Sequence, residues 1–315
     1  MEFKVLVTAI GSFSAQAVVD SLKRNEVVKA IYGCDIFPAQ WHHVSKEFDD
    51  VFLAPYVFNE KEYFDFINRI IKSKELDIII PLTDIEVDFF NKYRSDFSNI
   101  LVCIADDNFL GFARNKFKLT KFLEMNNFNF PKSYSIDFIK EANYPLIAKP
   151  KNGRSSEGVF YLNSIDDLNK DYDYSNYIFQ QFIEGTICTI DVLRNKFSDE
   201  IAIISRKELL RTKNGAGMTV EMFYDEYLIS EVIKISQLLD GHGVYNMEFI
   251  KRGNQYYLID VNPRFSAGIG FTILTGYDIV KNMVNVFMEK PIDKVLGYKN
   301  MILQKHMVEV INEVL

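Results

Sequence analysis

Several common signatures are missing from this chain, and each absence removes a class of function. Its three cysteines, Cys34, Cys103 and Cys188, are widely spaced, odd in number and without CxxC spacing, so neither a disulfide framework nor a zinc ribbon can be built from them. Positive charge is not in excess. With 36 Lys and Arg against 43 Asp and Glu, net −7, the chain lacks the basic footprint of a nucleic-acid binder. Long apolar runs are also lacking. Val5–Ile10 stops at Gly11, too short for a signal h-region, and no window approaches the ~18–20 apolar residues of a membrane span. A cytoplasmic protein without membrane or nucleic-acid partners is therefore expected. The P-loop pattern GxxxxGK[ST] does not occur, and AIGSFSAQ, after the first apolar run, holds one glycine where a dinucleotide fingerprint needs three. The four histidines are scattered, and His42–His43 beside Trp41 reads as loop packing, so no Ser/His/Asp set can be assembled.

What is present is the composition of a folded protein, 48% hydrophobic and 25% charged. Its 315 residues suit two or three packed subdomains. The first third alternates strand and helix patterns: FKVLVTAI, then a helix over Ser14–Arg24, VVKAIYGCDI, a helix over Glu60–Ser73, LDIIIPL and NILVCIA. That rhythm predicts a parallel sheet with helices on both faces. Ligands of such sheets bind at the carboxyl edge of the strands, here Gly11–Ser14 and Thr83–Glu86, and the helix start near Ser12 can favour an anion.

From Gly111 the texture changes. ARNKFKLTKFLEMNNFNFP reads as an amphipathic helix with an extended exit at Pro131. YPLIAKPKNGRSSEGVFYL reads as two short strands around a polar loop, and YIFQQFIEGTICTIDVLRN as two strands broken at Glu184–Gly185. A helix follows over Tyr227–Leu239, then a hairpin, YNMEFIKRGNQYYLIDV, turning at Gly253–Asn254. An α+β part thus succeeds an α/β part.

The hairpin carries chemistry. Its turn sets Glu248 opposite Asp260 to within a residue or two, and Asn262 shares a face with Asp260 while Ile259 and Val261 pack on the other. Pro263 ends the strand and presents Arg264 at its exit. The three oxygen donors suit magnesium, which is held by few protein ligands and substrate phosphates. Two unpaired acids so close would otherwise repel each other, although a wet strand pair is the alternative. Lys149, between Ala148 and Pro150 in an apolar strand, suits a phosphate. The loop after it, with Ser155, Ser156 and Gly158, can fold over phosphates as a nest or stand as an exposed turn. The strand meeting a turn at Gln181–Glu184 offers backbone to a purine edge. Arg206 and Arg211, before Gly215 and Gly217, offer forks for a substrate carboxylate in a flexible segment, or are solvated charges on a hairpin.

Taken in order, ARNK at 113–116, IAKPKNGRSSEGV at 147–159, FQQFIEG at 179–185 with TID at 189–191, NMEF at 246–249 and DVNPR at 260–264 resemble the ATP-grasp superfamily, closest to its carbamoyl-phosphate-synthetase-like single-chain ligases. The resemblance implies a pre-ATP-grasp domain over 1–110, a small lobe with the phosphate loop over 111–183 and a large lobe with the metal site over 184–315. It implies ATP and Mg2+, with Lys116, Lys149, Ser155, Ser156 and Gly158 on the phosphates. Gln181, Phe182 and Ile183 would meet adenine. Glu184 would be a substitute ribose ligand, because Thr186–Ile187 stands where relatives often carry a glutamate. Glu248, Asp260 and Asn262 would bind metal, with Asp260 where relatives often use glutamate. Arg264, Lys149 and Asn262 would act on the transferred phosphoryl group, and Ser12, Arg206, Arg211 and Gly268 would lie near the small-molecule substrate. The expected reaction joins a carboxylate to an amine at the expense of ATP, and a homodimer is compatible with it. The alternatives are a bicarbonate- or carbamate-phosphorylating enzyme of this fold and a nucleotide-binding module without catalysis.

Overall fold

A computed structural model describes residues 2–152, 158–169, 171–309 and 311. The chain opens with β1 (Phe3–Thr8), α1 (Ala15–Arg24), β2 (Val28–Asp35), β3 (Asp50–Leu53), α2 (Glu60–Lys74), β4 (Ile78–Ile80), α3 (Asp84–Lys92) and β5 (Leu101–Val102). These strands form one parallel sheet in the order β3-β2-β1-β4-β5. Val5 and Val7 face one core and Leu6 the other, so β1 is buried on both faces and reads as a continuous apolar run. The edge strand β3 escapes the sequence pattern because four residues, three half-buried and Leu53 exposed, carry too little periodicity.

Two helices follow, α4 (Asp107–Ala113) and α5 (Lys116–Met125). The amphipathic pattern from Ala113 is therefore two elements. The side chain of Asn115 accepts hydrogen bonds from the N–H groups of Phe117 and Lys118 and so starts α5 as an N-cap. The 110/111 division falls within α4.

A small antiparallel sheet comes next, from β6 (Ser133–Tyr134), β7 (Leu146–Pro150), β8 (Phe160–Leu162) and β9 (Tyr177–Gln181), in the order β6-β9-β7-β8. It has its own core of Tyr134, Ile139, Leu146, Ala148, Leu162 and Phe179. The last part holds β10 (Thr186–Asn195), β11 (Glu200–Arg211), β12 (Gly217–Phe223), α6 (Glu226–Leu238), β13 (Gly243–Arg252), β14 (Gln255–Asn262), α7 (Ile269–Leu274), α8 (Ile279–Phe287) and β15 (Met301–Gln304). Its six strands run in the order β14-β13-β10-β11-β12-β15. The segment expected to be flexible around Arg206 and Arg211 is a strand, β11, paired with β10 and, with register shifts between Glu208 and Arg211, with β12.

Both faces of the large sheet pack against the N-terminal domain. Ile190, Val192, Met247, Phe249 and Val261 share a core with Leu6, Phe66 and Phe90 through α4 and α5. On the other face Leu193, Ile204, Val220 and Met222 join Val5, Val7, α1, α7 and α8. The first and last thirds are one packed body, and the small sheet is the part with a separate core. No helix among the described residues is long and apolar enough to cross a membrane.

Candidate active site

In β13 and β14 the register pairs Glu248 with Asp260 and Asn246 with Asn262. A bulge shifts the register between Glu248 and Phe249. Its consequence corrects the simple alternation expected for β14: Leu258 and Val261 both enter the apolar core, and Ile259 is half-buried. A bulge inserts one residue and re-aims the side chains beyond it. Here it turns Asp260 and Asn262 onto the face that carries Glu248 and, on β10, Thr189 and Asp191.

The acids are not left to repel each other. Lys116 Nζ, at the first residue of α5, lies 2.7 Å from Asp260 Oδ1, and Arg211 Nη2 lies 2.9 Å from Glu248 Oε1. Asn262 donates from Nδ2 to Asn246 Oδ1 at 3.2 Å, so its amide oxygen is the end that would serve a cation. Asn246 is itself anchored, donating to the carbonyl of Arg264 at 3.1 Å. Among the described residues no cluster of three or more His, Cys, Asp or Glu could cage a metal alone. Two carboxylates and an amide nevertheless fit magnesium, which completes its shell with water and phosphate oxygens.

Lys149 reaches the same place from the small sheet. Its Nζ donates to the carbonyl of Ile259 at 3.3 Å, at the bulge and next to Asp260. Burial pushes its ammonium down to about 8; Lys116 adds to this, and Asp260 and Glu248 oppose it. An ammonium with no carboxylate partner among the described residues, beside two acids already paired with other cations, is suited to an incoming anion. The chain after β7 runs through Lys151 and Asn152, and the N–H of Lys116 donates to the Lys151 carbonyl at 3.0 Å, joining α5 to this loop. Ser155 and Ser156 lie outside the described residues. Gly158 closes the loop at φ +70, where an added Cβ would lie 3.0 Å from Tyr177 Oη.

At the β9 exit, the N–H groups of Gln181 and Phe182 are engaged by the carbonyls of Lys132 and Pro145. Phe182 packs edge-on against Tyr161, Ile183 is buried and Glu184 is exposed.

Arg264 leaves β14 and meets Asp84, the first residue of α3, through Nε at 3.1 Å and Nη2 at 3.0 Å. Arg114 approaches the other oxygen of Asp84 at 3.4 Å and binds Asp88 through Nε at 2.8 Å. Burial would raise the Asp84 carboxyl, but Arg264 and then Arg114 outweigh it and hold it below its usual range. The carboxyl edge of the first sheet thus touches the motif at the far end of the chain. Asp84, Arg114 and Asn246 extend the set read from the motifs. The pattern could have pointed to Arg114 and Asn246, which sit inside ARNK and NMEF, but the Asp84–Arg264 pair spans too much sequence to be read.

The substrate residues separate. Arg206 is sealed inside the sheet face, its Nη1 2.6 Å from Asp191, its Nε 3.0 Å from Glu208 and its Nη2 donating to Ser266 Oγ at 3.0 Å. Its guanidinium fork is occupied by protein, so it is not available to a substrate carboxylate. Arg211 likewise belongs with Glu248. Gly268 is where Arg206 passes: an added Cβ would lie 2.8 Å from Nη2. Ser12 sits at the turn before α1, its Oγ 3.0 Å from Ser14 Oγ.

Residues 113–268 match the family model described as an ATP-grasp domain. The carbamoyl phosphate synthase large chain of Clostridium acetobutylicum is 24% identical over 284 residues, 81% of this chain and 26% of that one. The D-alanine–D-alanine ligase of Buchnera aphidicola is 34% identical over 79 residues, 24% of this chain and 26% of the relative. The chain thus spans about a quarter of the length of each. Among solved structures, N5-carboxyaminoimidazole synthetase from Staphylococcus aureus, complexed with ADP, superimposes with a TM-score of 0.77 at 13% identity, covering 98% of this chain and 83% of that one. The matched residues run from ARNK to the glycine behind Arg264 and enclose Lys116, Lys149, Arg211, Glu248, Asp260, Asn262 and Arg264, with Asp84 lying before them: this part of the chain is an ATP-grasp domain.

Proposed function

We propose that the protein is an ATP-dependent ligase that activates a carboxylate as an acyl phosphate for attack by an amine, releasing ADP and phosphate. The observation that carries this reading is the convergence of Lys116, Lys149, Glu248, Asp260, Asn262 and Arg264, drawn from α5, the small sheet and the large sheet, at the exit of β14. Phosphoryl transfer asks a protein for little beyond positioning and charge neutralisation, and these residue types supply both.

In this reading Lys149 and Lys116 hold the nucleotide phosphates, adenine meets the Gln181–Ile183 backbone through groups other than the engaged N–H groups of Gln181 and Phe182, and Glu184 stands in for the ribose ligand. Glu248, Asp260 and Asn262 hold Mg2+, which neutralises phosphate charge when bound. For that, Lys116 would exchange Asp260 for phosphate and Arg211 would release Glu248. Arg264, held in direction by Asp84, steadies the transferred group. A carboxylate oxygen forms the new P–O bond as ADP leaves; the amine nitrogen then forms the C–N bond as phosphate leaves, and its proton passes to solvent. We place the reaction in the cytoplasm.

ADP release measured across a panel of amino acids, sugar acids and bicarbonate, each with and without an amine, tests the reading. Release that requires acid and amine together, with a product of the amide mass, is expected. Release with bicarbonate alone, or nucleotide binding without release under any combination, would replace it with one of the alternatives.

A further inference from the structure

Two lysines bracket the segment Asp260–Gly268, and only the first has been given a task. Lys149 donates to the carbonyl of Ile259, just before the segment, and Lys305 donates to the carbonyl of Ala267 near its end, at 2.7 Å. Lys305 comes from the opposite edge of the large sheet, just after β15. Its own N–H continues the β12–β15 pairing by donating to the Met218 carbonyl at 2.8 Å, which fixes its backbone, and its side chain then crosses to the loop beyond Arg264.

The surroundings of this ammonium are unusual for a surface residue. It stands 4.7 Å over the ring of Phe13, from the turn before α1, and 5.9 Å from that of Phe271 in α7. Among the described residues it makes no ion pair. The carboxylate whose field reaches it, Glu208, is already bound by Arg206 and by Thr189 Oγ1 at 2.7 Å. One carbonyl and two ring faces leave an ammonium with three donors undersatisfied. Burial pushes it down to about 8, Arg206 adds to this and Glu208 opposes it. Phe13 is 55% exposed, so the place is open to solvent on the side of the N-terminal turn. Of the arginines that the sequence offers for a substrate carboxylate, Arg206 is sealed within the protein by Asp191 and Glu208.

We propose that Lys305 binds a carboxylate of the non-nucleotide substrate, with Phe13 as the apolar wall beside it. The site draws on Ser12–Phe13 of the first domain, the Ser266–Gly268 loop and the strand end after β15, so all three must be in place to form it. It deepens the ligase reading and rests on it for identifying the anion as a substrate's. The class of ligand is a small organic acid with an apolar body, held by a carboxylate that is not the one activated at Arg264.

The test is footprinting of the full chain with an amine-acylating reagent, read at Lys305 by mass spectrometry without nucleotide. Sodium phenylacetate and its neutral isostere phenylacetamide are compared at equal ionic strength, with inorganic phosphate as a third arm. Phenylacetate at about ten times its dissociation constant is expected to slow acylation of Lys305 by about tenfold, and phenylacetamide at the same concentration to leave it unchanged. Equal protection by acid and amide, no protection by the acid, or protection by phosphate alone overturns the assignment. A second measurement uses an acid that supports ADP release. Lys305→Gln is expected to raise the KM for that acid about tenfold with the KM for ATP unchanged, and Lys305→Arg to restore part of the loss. Failure of every acid to support ADP release would sink the ligase reading and leave the footprint standing. ADP release without protection of Lys305 would sink the anion site and leave the ligase.

Discussion

One face of the large sheet carries two polar clusters that use the same side-chain chemistry and differ in access. Around Asp191, Arg206 and Glu208 the charges are sealed, with Arg206 at 2% and Asp191 at 1% exposure, and the arginine fork is fully used. Around Glu248 and Asp260 each acid has a cation partner too, but Asp260 is 22% exposed and its partner Lys116 arrives from another element. A sealed pair loses its desolvation cost only if it stays together, so it defines packing. A half-open pair whose members come from separate elements can exchange partners, which a site that takes up a metal and phosphates has to do. Ion pairs therefore do not mark function by their presence; accessibility and the origin of the partner separate the two clusters.

The comparison breaks most sharply at its buried end. Arg206→Met leaves Asp191 and Glu208 as uncompensated buried acids and is expected to cost roughly 3–5 kcal/mol of stability in urea denaturation. A loss below about 1 kcal/mol, the worth of a surface pair, would show that this cluster is not sealed. At the open end, Asp260→Asn keeps the shape and a hydrogen-bond acceptor while removing charge. ATP turnover should fall by roughly 10²–10³ with the urea midpoint nearly unchanged. Near-normal turnover at saturating magnesium would remove Asp260 from the metal set.

Much of this contrast lay beyond the sequence. The hairpin turn at Gly253–Asn254 fixes register locally, so Glu248 opposite Asp260 is legible from spacing. The apolar run around Lys149 likewise marks a lysine out of place. The bulge is not legible, since one extra residue leaves no compositional trace, and it decides which way Ile259 faces. The alternating charges of β11 read equally as wet or buried. Neighbours on β10 and the loop before α7, far along the chain, seal Arg206, and single-strand periodicity carries no word of them. Thr83–Glu86 could be placed at a ligand-binding edge by topology alone, whereas the contact of Asp84 with Arg264 needed the whole fold.

A finer test separates the two lysines of the open site. Lys116 pairs with Asp260, whereas Lys149 among the described residues has a carbonyl, so of the two Lys149 can bind phosphate without first breaking an ion pair. Lys149→Met is expected to weaken ATP binding by roughly 1.5–3 kcal/mol in calorimetry. Lys116→Met should weaken it less, because the phosphate contact it removes is offset by the pair it no longer has to break. A larger loss at Lys116 would reverse the order and mean that its partner exchange is not costly.

The smallest expected effect concerns Asp84, which belongs to neither cluster but links the first domain to Arg264. Its carboxyl is held below the usual range by Arg264 and Arg114 against the opposing pull of burial, so its folded value lies under its unfolded one near ~3.9. A depressed acid stabilises the fold above the unfolded value and loses that contribution as pH falls through the folded value. Asp84→Asn should therefore be less stable than the parent by on the order of 1–2 kcal/mol at pH 7, and the gap should narrow below about pH 4 as the parent's Asp84 takes up its proton. Thermal melts of both proteins from pH 7 to pH 3 measure this directly. A gap that stays constant with pH would mean that the pair contributes by shape and hydrogen bonding alone, and that Arg264 is held at the site without help from the charge of the first domain.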